Sequence, residues 1–312
     1  MKLAPPTRPA PKELTPRHYL LGGQQMTAPR LAPGLYIVAT PIGNLGDVTL
    51  RALETLASAD LIACEDTRVT RKLLNRYGVA TPLTPYHDHN ATKARPMLLQ
   101  RLADGASIAL VSDAGTPLIS DPGFKLVRDV KDSGHMVTAL PGPSALLAAL
   151  TIAGLPTDQF FFAGFLPPKQ AARRERIAEL GRIPATLVFY ETGPRLAATL
   201  ADLAATLGQR EAAVCRELTK LHEEARRGDL AALARDYAAS EPRGEIVVVV
   251  APPEADATVS EADAEHLLRQ ALARVSLKDA VGEVAAATGL SRRDLYQRAL
   301  VLAKETEHGT PR

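Results

Sequence analysis

The stretch IALVSDAGTPLISDPG, residues 108–123, decides the fold predicted for this chain. It opens with an apolar run at 108–111, and the run stops at a Ser-Asp pair. A second small polar turn at 120–123 predicts a helix that has Asp121 as its N-cap and begins at Pro122. In open α/β sheets, ligands bind where strands end in such turns. The stretch therefore predicts a strand, a ligand-binding loop and a helix, although Gly, Pro, Ser and Asp also dominate ordinary surface turns.

Similar patterns extend from this stretch in both directions. Short apolar runs alternate with segments of helical spacing, and short turns containing Gly and Pro join them. This alternation is typical of a mainly parallel sheet that helices cover on both faces. We therefore predict an N-terminal α/β domain over residues 34–155 and a second α/β domain over 156–251. Four apolar runs predict the strands of the second domain: 160–165, 186–190, 212–215 and 246–250.

The N-terminal end of the chain lacks this pattern. Residues 1–33 are rich in Pro, Ala and Arg and show no periodicity, which predicts a disordered extension. Met26 lies within this extension, and we treat it as an alternative start of the protein.

The C-terminal end predicts a separate helical module over residues 260–306. A linker with Pro and acidic residues precedes it, and three segments of helical spacing follow. The last two segments are joined by a short Gly-containing turn, as in a helix-turn-helix, so that Arg292, Arg293 and Arg298 would face a nucleic-acid backbone. The alternative is a helical hairpin that serves packing or dimerisation.

Composition limits the class of protein. The chain has 312 residues, 46% hydrophobic and 23% charged, which is typical of a globular protein with two domains. A net charge of +2 provides no global field for nucleic acid. Cys64 and Cys215 lie in separate apolar runs and are predicted to be buried free thiols. No apolar run approaches the ~18 residues of a membrane span. The first residues lack a secretory signal, so we expect a cytoplasmic protein.

Several common functional motifs are absent from the sequence. There is no dinucleotide fingerprint, phosphate-binding P-loop or nucleophile elbow, and no spacing of Cys and His that would bind zinc. Three strand-end loops rich in Gly, Pro and small polar residues remain, at 41–46, 113–123 and 141–145. Such loops at one edge of a parallel sheet form a pocket lined by backbone amides and carbonyls. The residues alone therefore predict a site for a small polar ligand such as a nucleoside.

Six blocks of the sequence resemble one known family. They are TPIGNLGDVTLRALETLASADLIACEDTR (40–68), LVSDAGTPLISDPG (110–123), ALPGPSALLAAL (139–150), FFFAGFLPPK (160–169), FYETGPR (189–195) and RELTKLHEE (216–224). In this order they resemble the tetrapyrrole-methylase superfamily of S-adenosylmethionine-dependent enzymes. Within it, they are most similar to the branch that methylates the ribose 2′-oxygen of a decoding-centre cytidine in 16S ribosomal RNA.

The resemblance implies a fold, a cofactor and partners. The fold is the two-domain α/β architecture of class III S-adenosylmethionine methyltransferases, here with a small C-terminal helical module. The cofactor lies in the cleft between the domains, no metal or membrane is involved, the enzyme is usually a homodimer, and its substrate is 16S rRNA in the small ribosomal subunit. By position, the resemblance places the cofactor contacts at Pro41, Ile42, Gly43, Asp113, Gly115, Thr116, Ser144, Ala145, Tyr190 and Glu245.

Methyl transfer to a ribose hydroxyl requires in-line positioning and either a base for the hydroxyl proton or a cation for the alkoxide. The candidate bases are Glu65, Asp66, Glu191 and Glu217, and the candidate cations are Arg68, Arg216 and Lys220. We expect Asp66 and Arg68 to face the substrate. Glu191 and Lys220 are then expected to close the site from the second domain. The alternative for each is an ordinary ion pair at a domain edge.

Two further expectations concern the second domain. Composition favours a solvated turn rather than an active-site wall for the charged segment 216–224. RNA positioning is expected from the Arg-rich helix around 173–176 and from the C-terminal module.

Two other functions remain open. One is a methyltransferase of the same superfamily that acts on a corrin or porphyrin precursor or on a diphthamide intermediate, because fold does not fix substrate. The other is a nucleoside-binding regulatory protein without catalysis.

Overall fold

The computed structural model describes residues 17–121, 123–239, 242–253, 261–288 and 290–308. Within them, a short N-terminal hairpin is followed by two five-stranded sheets and a three-helix module. No helix in this part of the chain combines the length and the apolar character that a membrane crossing requires.

The N-terminal hairpin consists of β1 (His18–Leu21) and β2 (Gln24–Thr27), which pair in antiparallel fashion. The prediction of disorder is therefore wrong for these residues, whereas residues 1–16 lie outside the described part. A Gly-Gly turn with φ of 59° and 82° joins the strands, which is a strong hairpin signal. Tyr19 is buried in the core beside the first sheet, and Arg17 forms an ion pair of 2.7 Å with Asp60. These contacts order a segment that has no periodicity of its own.

Strands and helices alternate along the first α/β unit. The elements are β3 (Gly34–Val38), α1 (Leu50–Ser58), β4 (Leu61–Cys64), α2 (Thr67–Arg76), β5 (Leu83–Pro85), α3 (Ala91–Ala103), β6 (Ser107–Val111), α4 (Phe124–Asp132), β7 (Val137–Leu140) and α5 (Ala145–Ile152). The sheet order is β5-β4-β6-β3-β7, and every pair is parallel. The predicted mainly parallel sheet is therefore confirmed.

Strand β6, from the opening stretch, is the central strand of this sheet and is buried on both faces. Ala109 and Val111 pack with side chains of α1 and α2, whereas Ile108 and Leu110 pack with those of α3 and α4. This alternation explains why the strand is a continuous apolar run. Because the strands are parallel, the loops after β3, β6 and β7 meet at one edge.

The helix after the opening stretch begins later than predicted. Gly123, with φ of 137°, is the N-cap of α4, and the helix begins at Phe124. The prediction that Asp121 is the N-cap is therefore wrong, and Pro122 lies outside the described residues. Asp121 is left in the loop after β6, where its side chain is available to the site.

The second α/β unit is built on a mixed sheet. Its elements are β8 (Phe160–Phe165), α6 (Gln170–Leu180), β9 (Thr186–Thr192), α7 (Gly193–Leu207), β10 (Glu211–Arg216), β11 (Glu224–Asp229), α8 (Leu230–Ala238) and β12 (Glu245–Val250). The sheet order is β11-β10-β12-β9-β8, with only the β8–β9 pair parallel. The four predicted strands are present. The fifth, β11, reads EARRGD and gives no apolar signal, because it is an edge strand with largely exposed side chains.

An apolar cluster joins the two units. Ile42, from the loop after β3, and Leu150, from α5, pack with Val188 of β9 and with Val247 of β12. All four side chains are buried. One face of the second sheet therefore covers the carboxyl edge of the first sheet, and this junction encloses the candidate site.

The C-terminal module consists of α9 (Glu261–Leu272), α10 (Leu277–Thr288) and α11 (Arg292–His308), which share a core of their own. The three predicted helices are confirmed. The linker residues 254–260 and residue 289 lie outside the described part of the chain. The domain boundaries given above stay predictions.

Candidate active site

Hydrogen bonds join the three loops at the carboxyl edge of the first sheet. Thr40 and Gly115 exchange two backbone bonds of 2.9 Å, which link the loops after β3 and β6. The Thr116 hydroxyl donates to the Pro143 carbonyl at 3.1 Å and adds the loop after β7. Gly115 has φ of 78°, and a Cβ atom there would lie 3.3 Å from the Ile42 side chain. The position therefore favours glycine.

A hydrogen-bonded unit from the second domain forms the opposite wall. The Glu217 N–H donates to the Glu245 carbonyl at 3.0 Å, and the Glu245 N–H donates to Glu217 Oε1 at 3.0 Å. Lys220 Nζ donates to both carboxylates, at 2.8 Å to Glu217 and 3.0 Å to Glu245. These bonds fix an ammonium group between two acids at the edge of the site.

The segment 216–224 is thus part of the active-site wall. Leu218 is 6% exposed and lines the site, whereas Leu221 is 93% exposed. The Asn44 N–H donates to the Thr219 hydroxyl at 3.1 Å, which joins the segment to the loop after β3. The expectation of a solvated turn is wrong for the inner residues of the segment.

Both walls contain residues in the left-handed region of φ that are not glycine. They are Leu118 (76°), Ser120 (61°), Glu217 (49°) and Thr219 (67°). Within the described residues, no other non-glycine residue has a positive φ. Such conformations persist only where surrounding contacts hold them, and they concentrate at functional sites.

A cavity of about 260 Å³, called the cleft here, lies between these two walls. Seven of the ten predicted cofactor contacts line it: Ile42, Gly115, Thr116, Ser144, Ala145, Tyr190 and Glu245. Residues that the sequence analysis did not assign to the cofactor also line it, including Ile119, Ser120, Asp121, Phe165, Leu218 and Gly244. Ile119, Ser120 and Asp121 belong to the opening stretch. The position of that stretch directly after strand β6 was the sequence signal that could have identified them as lining residues.

The cleft suits a ligand with an aromatic part and polar ends. The Tyr190 ring packs edge-on against Phe162 and Phe165, at centroid distances of 4.8 and 5.7 Å. Burial raises the pKa of Tyr190, while a backbone hydrogen bond at Leu146 opposes the rise. The Ser144 side chain does not cap α5, so the first amides of that helix remain available to a ligand. The apolar wall, these amides and the nearby carboxylates fit the adenosine and methionine ends of S-adenosylmethionine.

A second cavity of about 410 Å³, called the outer groove here, adjoins the cleft. Ile42, Ala114 and Glu245 line both cavities. The other three predicted cofactor contacts, Pro41, Gly43 and Asp113, line the outer groove. The far side of the groove is formed by α2.

Asp66 and Arg68 lie together at the start of α2. Asp66 caps the helix by accepting from the Arg68 N–H at 2.7 Å, and its carboxylate forms an ion pair of 2.6 Å with the Arg68 guanidinium. These bonds lower the pKa of Asp66 to about 2. The Asp66 N–H donates to Asp113 Oδ1 at 2.9 Å, which brings the pair beside the outer groove. A carboxylate with so low a pKa is a weak base, so positioning is the role that fits Asp66 best.

Glu191 borders the cleft, but its carboxylate is fully buried. Side chains alternate along β9, and Glu191 lies on the side of Phe189, which packs with the helices of the second domain. Its oxygens accept from the Thr199 hydroxyl at 2.6 Å and the Thr192 N–H at 2.8 Å, and Arg195 lies 3.3 Å away. This geometry does not support the predicted catalytic role. The carboxylate instead fixes the start of α7.

Lys220 lines the outer groove close to the cleft. Burial alone would lower its pKa, but the hydrogen bonds to Glu217 and Glu245 outweigh that effect and raise the pKa. The side chain therefore stays protonated and can act only as a cation. Its aliphatic part lies so close to Gly43 that any Cβ atom there would overlap it.

Two acids near the site have raised pKa values. Burial raises the pKa of Glu65, at the end of β4, and the charges of Asp113 and Asp121 add to the rise. Burial also raises the pKa of Asp121, against the effect of a hydrogen bond from Ser112. The pKa of Glu65, one of the predicted bases, thus moves toward neutrality. Glu217 has the opposite shift because of its bond to Lys220.

The Arg-rich helix α6 differs from expectation. Arg173 is 5% exposed, and its guanidinium binds Asp202 at 2.6 Å and the Pro168 carbonyl at 3.1 Å. Arg174 binds the other oxygen of Asp202 at 2.6 Å. The expectation that Arg173 positions RNA is therefore wrong. Within the described residues, no group of three or more His, Cys, Asp or Glu side chains could hold a metal ion.

A parallel sheet and a mixed sheet that enclose a cleft at a strand-end edge define the class III methyltransferases. The diphthine synthase structure has this fold: it superimposes with a TM-score of 0.55 and 17% identity over 70% of this chain and 89% of that chain. The model of the Tetrapyrrole (Corrin/Porphyrin) Methylases matches residues 34–234, and this chain belongs to that family of S-adenosylmethionine-dependent methyltransferases. A second family model, the RsmI C-terminal HTH domain, matches residues 258–303.

Two relatives match nearly the whole chain. A protein of Mesorhizobium japonicum is 52% identical over 93% of this chain and 99% of its own length. A protein of Erythrobacter litoralis is 55% identical over 88% of this chain and 98% of its own length. Both are named Ribosomal RNA small subunit methyltransferase I.

Proposed function

We propose that this chain transfers a methyl group from S-adenosylmethionine to the ribose 2′-oxygen of a decoding-centre cytidine in 16S rRNA. The observation that carries the proposal is the similarity to small-subunit rRNA methyltransferases over 93% of the chain, with the C-terminal module included. The fold alone would not distinguish this substrate from a corrin precursor or a diphthamide intermediate. An rRNA substrate also implies a cytoplasmic protein.

Different residues of the site have different roles in this reaction. S-adenosylmethionine, when bound, supplies an electrophilic methyl group. Ser144, Ala145 and Tyr190 hold it in the cleft, where the apolar wall excludes water. The protonated Lys220, which Glu217 and Glu245 fix in place, stabilises negative charge that develops on the ribose oxygen.

The C-terminal module offers a surface for RNA. A groove between α10 and α11 is lined by Lys278, Arg292, Arg293 and Tyr296, all of them exposed. Within the described part of the chain, none of the three cations forms an ion pair with an acid. Arg298, the third predicted arginine, lies 3.7 Å from Glu265 instead. Free cations beside an exposed aromatic ring suit the phosphates and unstacked bases of RNA.

Exposed apolar side chains support the homodimer that we include in the proposal. Strand β8 is an edge strand, and it exposes Phe160, which is 43% exposed. The preceding helix α5 exposes Leu147 and Ile152. Large apolar side chains on an edge strand are costly in water and favour a second copy as partner. Light scattering during gel filtration measures the mass, and a monomer at micromolar concentration would contradict this part of the proposal.

Incubation with radiolabelled S-adenosylmethionine and unmodified small ribosomal subunits tests the function. The expected result is labelled 2′-O-methylcytidine after digestion of the 16S rRNA. Label on a base or on another nucleoside would still support an rRNA methyltransferase, but it would replace the cytidine 2′-oxygen as the methylated position. If cofactor binding is intact and no RNA is labelled, a small-molecule or protein acceptor takes the place of rRNA. Cofactor binding without any turnover would favour the regulatory protein.

A further inference from the structure

Helix α2 concentrates positive charge. Its ten residues include four cations, Arg68, Arg71, Lys72 and Arg76, and no acid. All four side chains are exposed, and we call them the α2 strip. The whole chain has a net charge of only +2, so the charge of this one helix exceeds that of the entire molecule.

The α2 strip forms one face of the helix. With 3.6 residues per turn, its four side chains fall within an arc of about 140°, and from Arg68 to Arg76 they cover about 12 Å of the helix axis. The opposite side of the helix buries Leu73 and Leu74 in the core of the first domain. The residue that lies among the cations is the exposed, polar Asn75. The strip is therefore a continuous polar surface that points away from the core.

Most of this charge has no counterpart within the molecule. Asp66 binds Arg68 at 2.6 Å, but among the described residues no acid forms an ion pair with Arg71, Lys72 or Arg76. Like charges one turn apart repel each other, and a cation in the first turn opposes the helix dipole. The α2 strip therefore destabilises the helix that carries it. A charged face that costs stability and has no internal partner indicates a partner of opposite charge outside the molecule.

The position of α2 relates the strip to the site. Asp66 is the N-cap of α2, and its N–H donates to Asp113 Oδ1 at 2.9 Å, in the loop after β6. Helix α2 connects the parallel strands β4 and β5, so it runs from the carboxyl edge of the sheet back towards the opposite edge. The strip thus begins beside the site and extends outward over the surface of the first domain. A long substrate whose reacting group enters the site would pass over it.

We propose that the α2 strip binds phosphates of the rRNA strand that flanks the methylated nucleotide. This inference rests on the proposed function and adds how the RNA is held outside the site. Guanidinium groups suit forked contacts to phosphate, and such contacts fix the position of RNA without reading its sequence. The strip lacks the apolar centre that protein interfaces usually have, so a row of cations of one sign fits a polyanion better than an acidic protein.

Replacing both Arg71 and Arg76 by glutamine tests the proposal. Arg68 and Lys72 are kept, because Arg68 pairs with Asp66 and Lys72 lines the outer groove. We expect the Kd for small subunits to rise about tenfold at low salt, and the slope of log K against log salt to become shallower by about 1.4 to 1.8, since two phosphate contacts are lost. The KM for subunits should rise with the Kd, whereas kcat and the Kd for S-adenosylhomocysteine should stay at their wild-type values.

The matched control replaces Lys93 and Arg101 by glutamine. Both are exposed on α3, which covers the other face of the first sheet, so the control removes the same net charge from a different surface. Its affinity and salt slope should equal those of the wild type. Equal effects of the two double variants would mean that only total charge matters, and they would overturn the assignment to α2. Lysine at 71 and 76 keeps the charges and should restore most of the affinity.

Arg71→Cys tests where the RNA lies. Cys64 and Cys215 are fully buried, so a thiol-reactive iron chelate would attach at position 71 alone. We expect hydroxyl radicals from this iron to cleave 16S rRNA close to the methylated nucleotide. Lys93→Cys, labelled in the same way on α3, should give no cleavage there. If position 71 cleaves no rRNA, or if both positions give the same pattern, the strip does not face the flanking strand and the proposal is overturned.

The proposed function and the role of the α2 strip fail in different ways. Wild-type protein that transfers no methyl group to RNA would end the proposed function, and the flanking strand on α2 with it. Wild-type protein that methylates 16S rRNA, while the glutamine variant of Arg71 and Arg76 keeps the wild-type affinity and salt slope, would end the role of the α2 strip alone.

Discussion

Helix α6 and the groove between α10 and α11 both carry clustered arginines, but only one cluster is free to bind a partner. On α6, Arg173 and Arg174 share the carboxylate of Asp202, which is fully buried. Arg176, on the same helix, pairs with Glu179 at 2.8 Å. The guanidinium groups of this helix are thus occupied within the second domain.

The C-terminal groove shows the opposite arrangement. Arg292 and Arg293 are exposed at the start of α11, and Lys278 faces them from α10. Among the described residues, no acid pairs with these three side chains. The number of arginines in a segment therefore does not predict a nucleic-acid surface. What matters is whether an acid elsewhere in the fold already uses them.

The largest expected effect is on stability. Asp202→Ala leaves the Arg173 guanidinium buried without its carboxylate, which should lower the free energy of unfolding by about 3 to 5 kcal/mol. Urea unfolding followed by circular dichroism measures this change. Glu179→Ala removes the partner of an exposed arginine and should cost no more than about 0.5 kcal/mol. Similar losses for the two variants would contradict the structural role of Asp202.

An intermediate effect is expected on RNA affinity. Replacing both Arg292 and Arg293 by alanine should weaken binding to small subunits about tenfold or more at low salt, because two phosphate contacts are lost. Unfolding free energy and S-adenosylhomocysteine binding should not change. Arg176→Ala, on α6, is the control and should leave subunit affinity as it is. An equal fall in affinity for the control would mean that α6 also contacts RNA.

The smallest expected effect is on pH dependence. Burial raises the pKa of Asp202, but hydrogen bonds from Arg174, Arg173 and Gln170 outweigh burial and lower it below the ordinary value of 3.8. A depressed pKa stabilises the folded state above the unfolded pKa, and this stabilisation is lost as pH falls through the folded pKa. The stability difference between wild type and Asp202→Ala should therefore be constant from pH 7 to 5 and shrink below about pH 3.8. A stability difference between wild type and Asp202→Ala that instead grows as the pH falls would contradict the lowered pKa of Asp202.

The parts of the site that follow from strong local patterns could be predicted from the sequence. The apolar run before Asp113 predicts a strand of a mainly parallel sheet, and the Gly- and Pro-rich loop that follows it can lie only at the strand-end edge. For that reason, the loops at 113–123 and 141–145 could be predicted to line a pocket, and Gly115, Thr116, Ser144 and Ala145 do line the cleft. Their assignment as cofactor contacts follows from the family resemblance and stays a prediction.

Other features depend on contacts that no local pattern contains. On β9, both faces are apolar, so periodicity does not show that Glu191 faces α7 rather than the cleft. The partner of Arg173 is Asp202, which is 29 residues away on another helix. Strand β11 is a charged edge strand, and the hairpin around Tyr19 is ordered by burial against the first domain. The outer groove exists only because α2 packs beside the loop after β3.

The left-handed conformations of Leu118, Ser120, Glu217 and Thr219 have a consequence for evolution and engineering of this enzyme. Each such residue costs roughly 1 to 3 kcal/mol in the backbone. Glycine at these positions would relax the strain, but it would also remove the side chains that shape the two walls, Glu217 among them. Selection for heat resistance and selection for turnover therefore act in opposite directions on these four positions. Thermostable variants should be sought in the hairpin, the edge strands and the module helices instead.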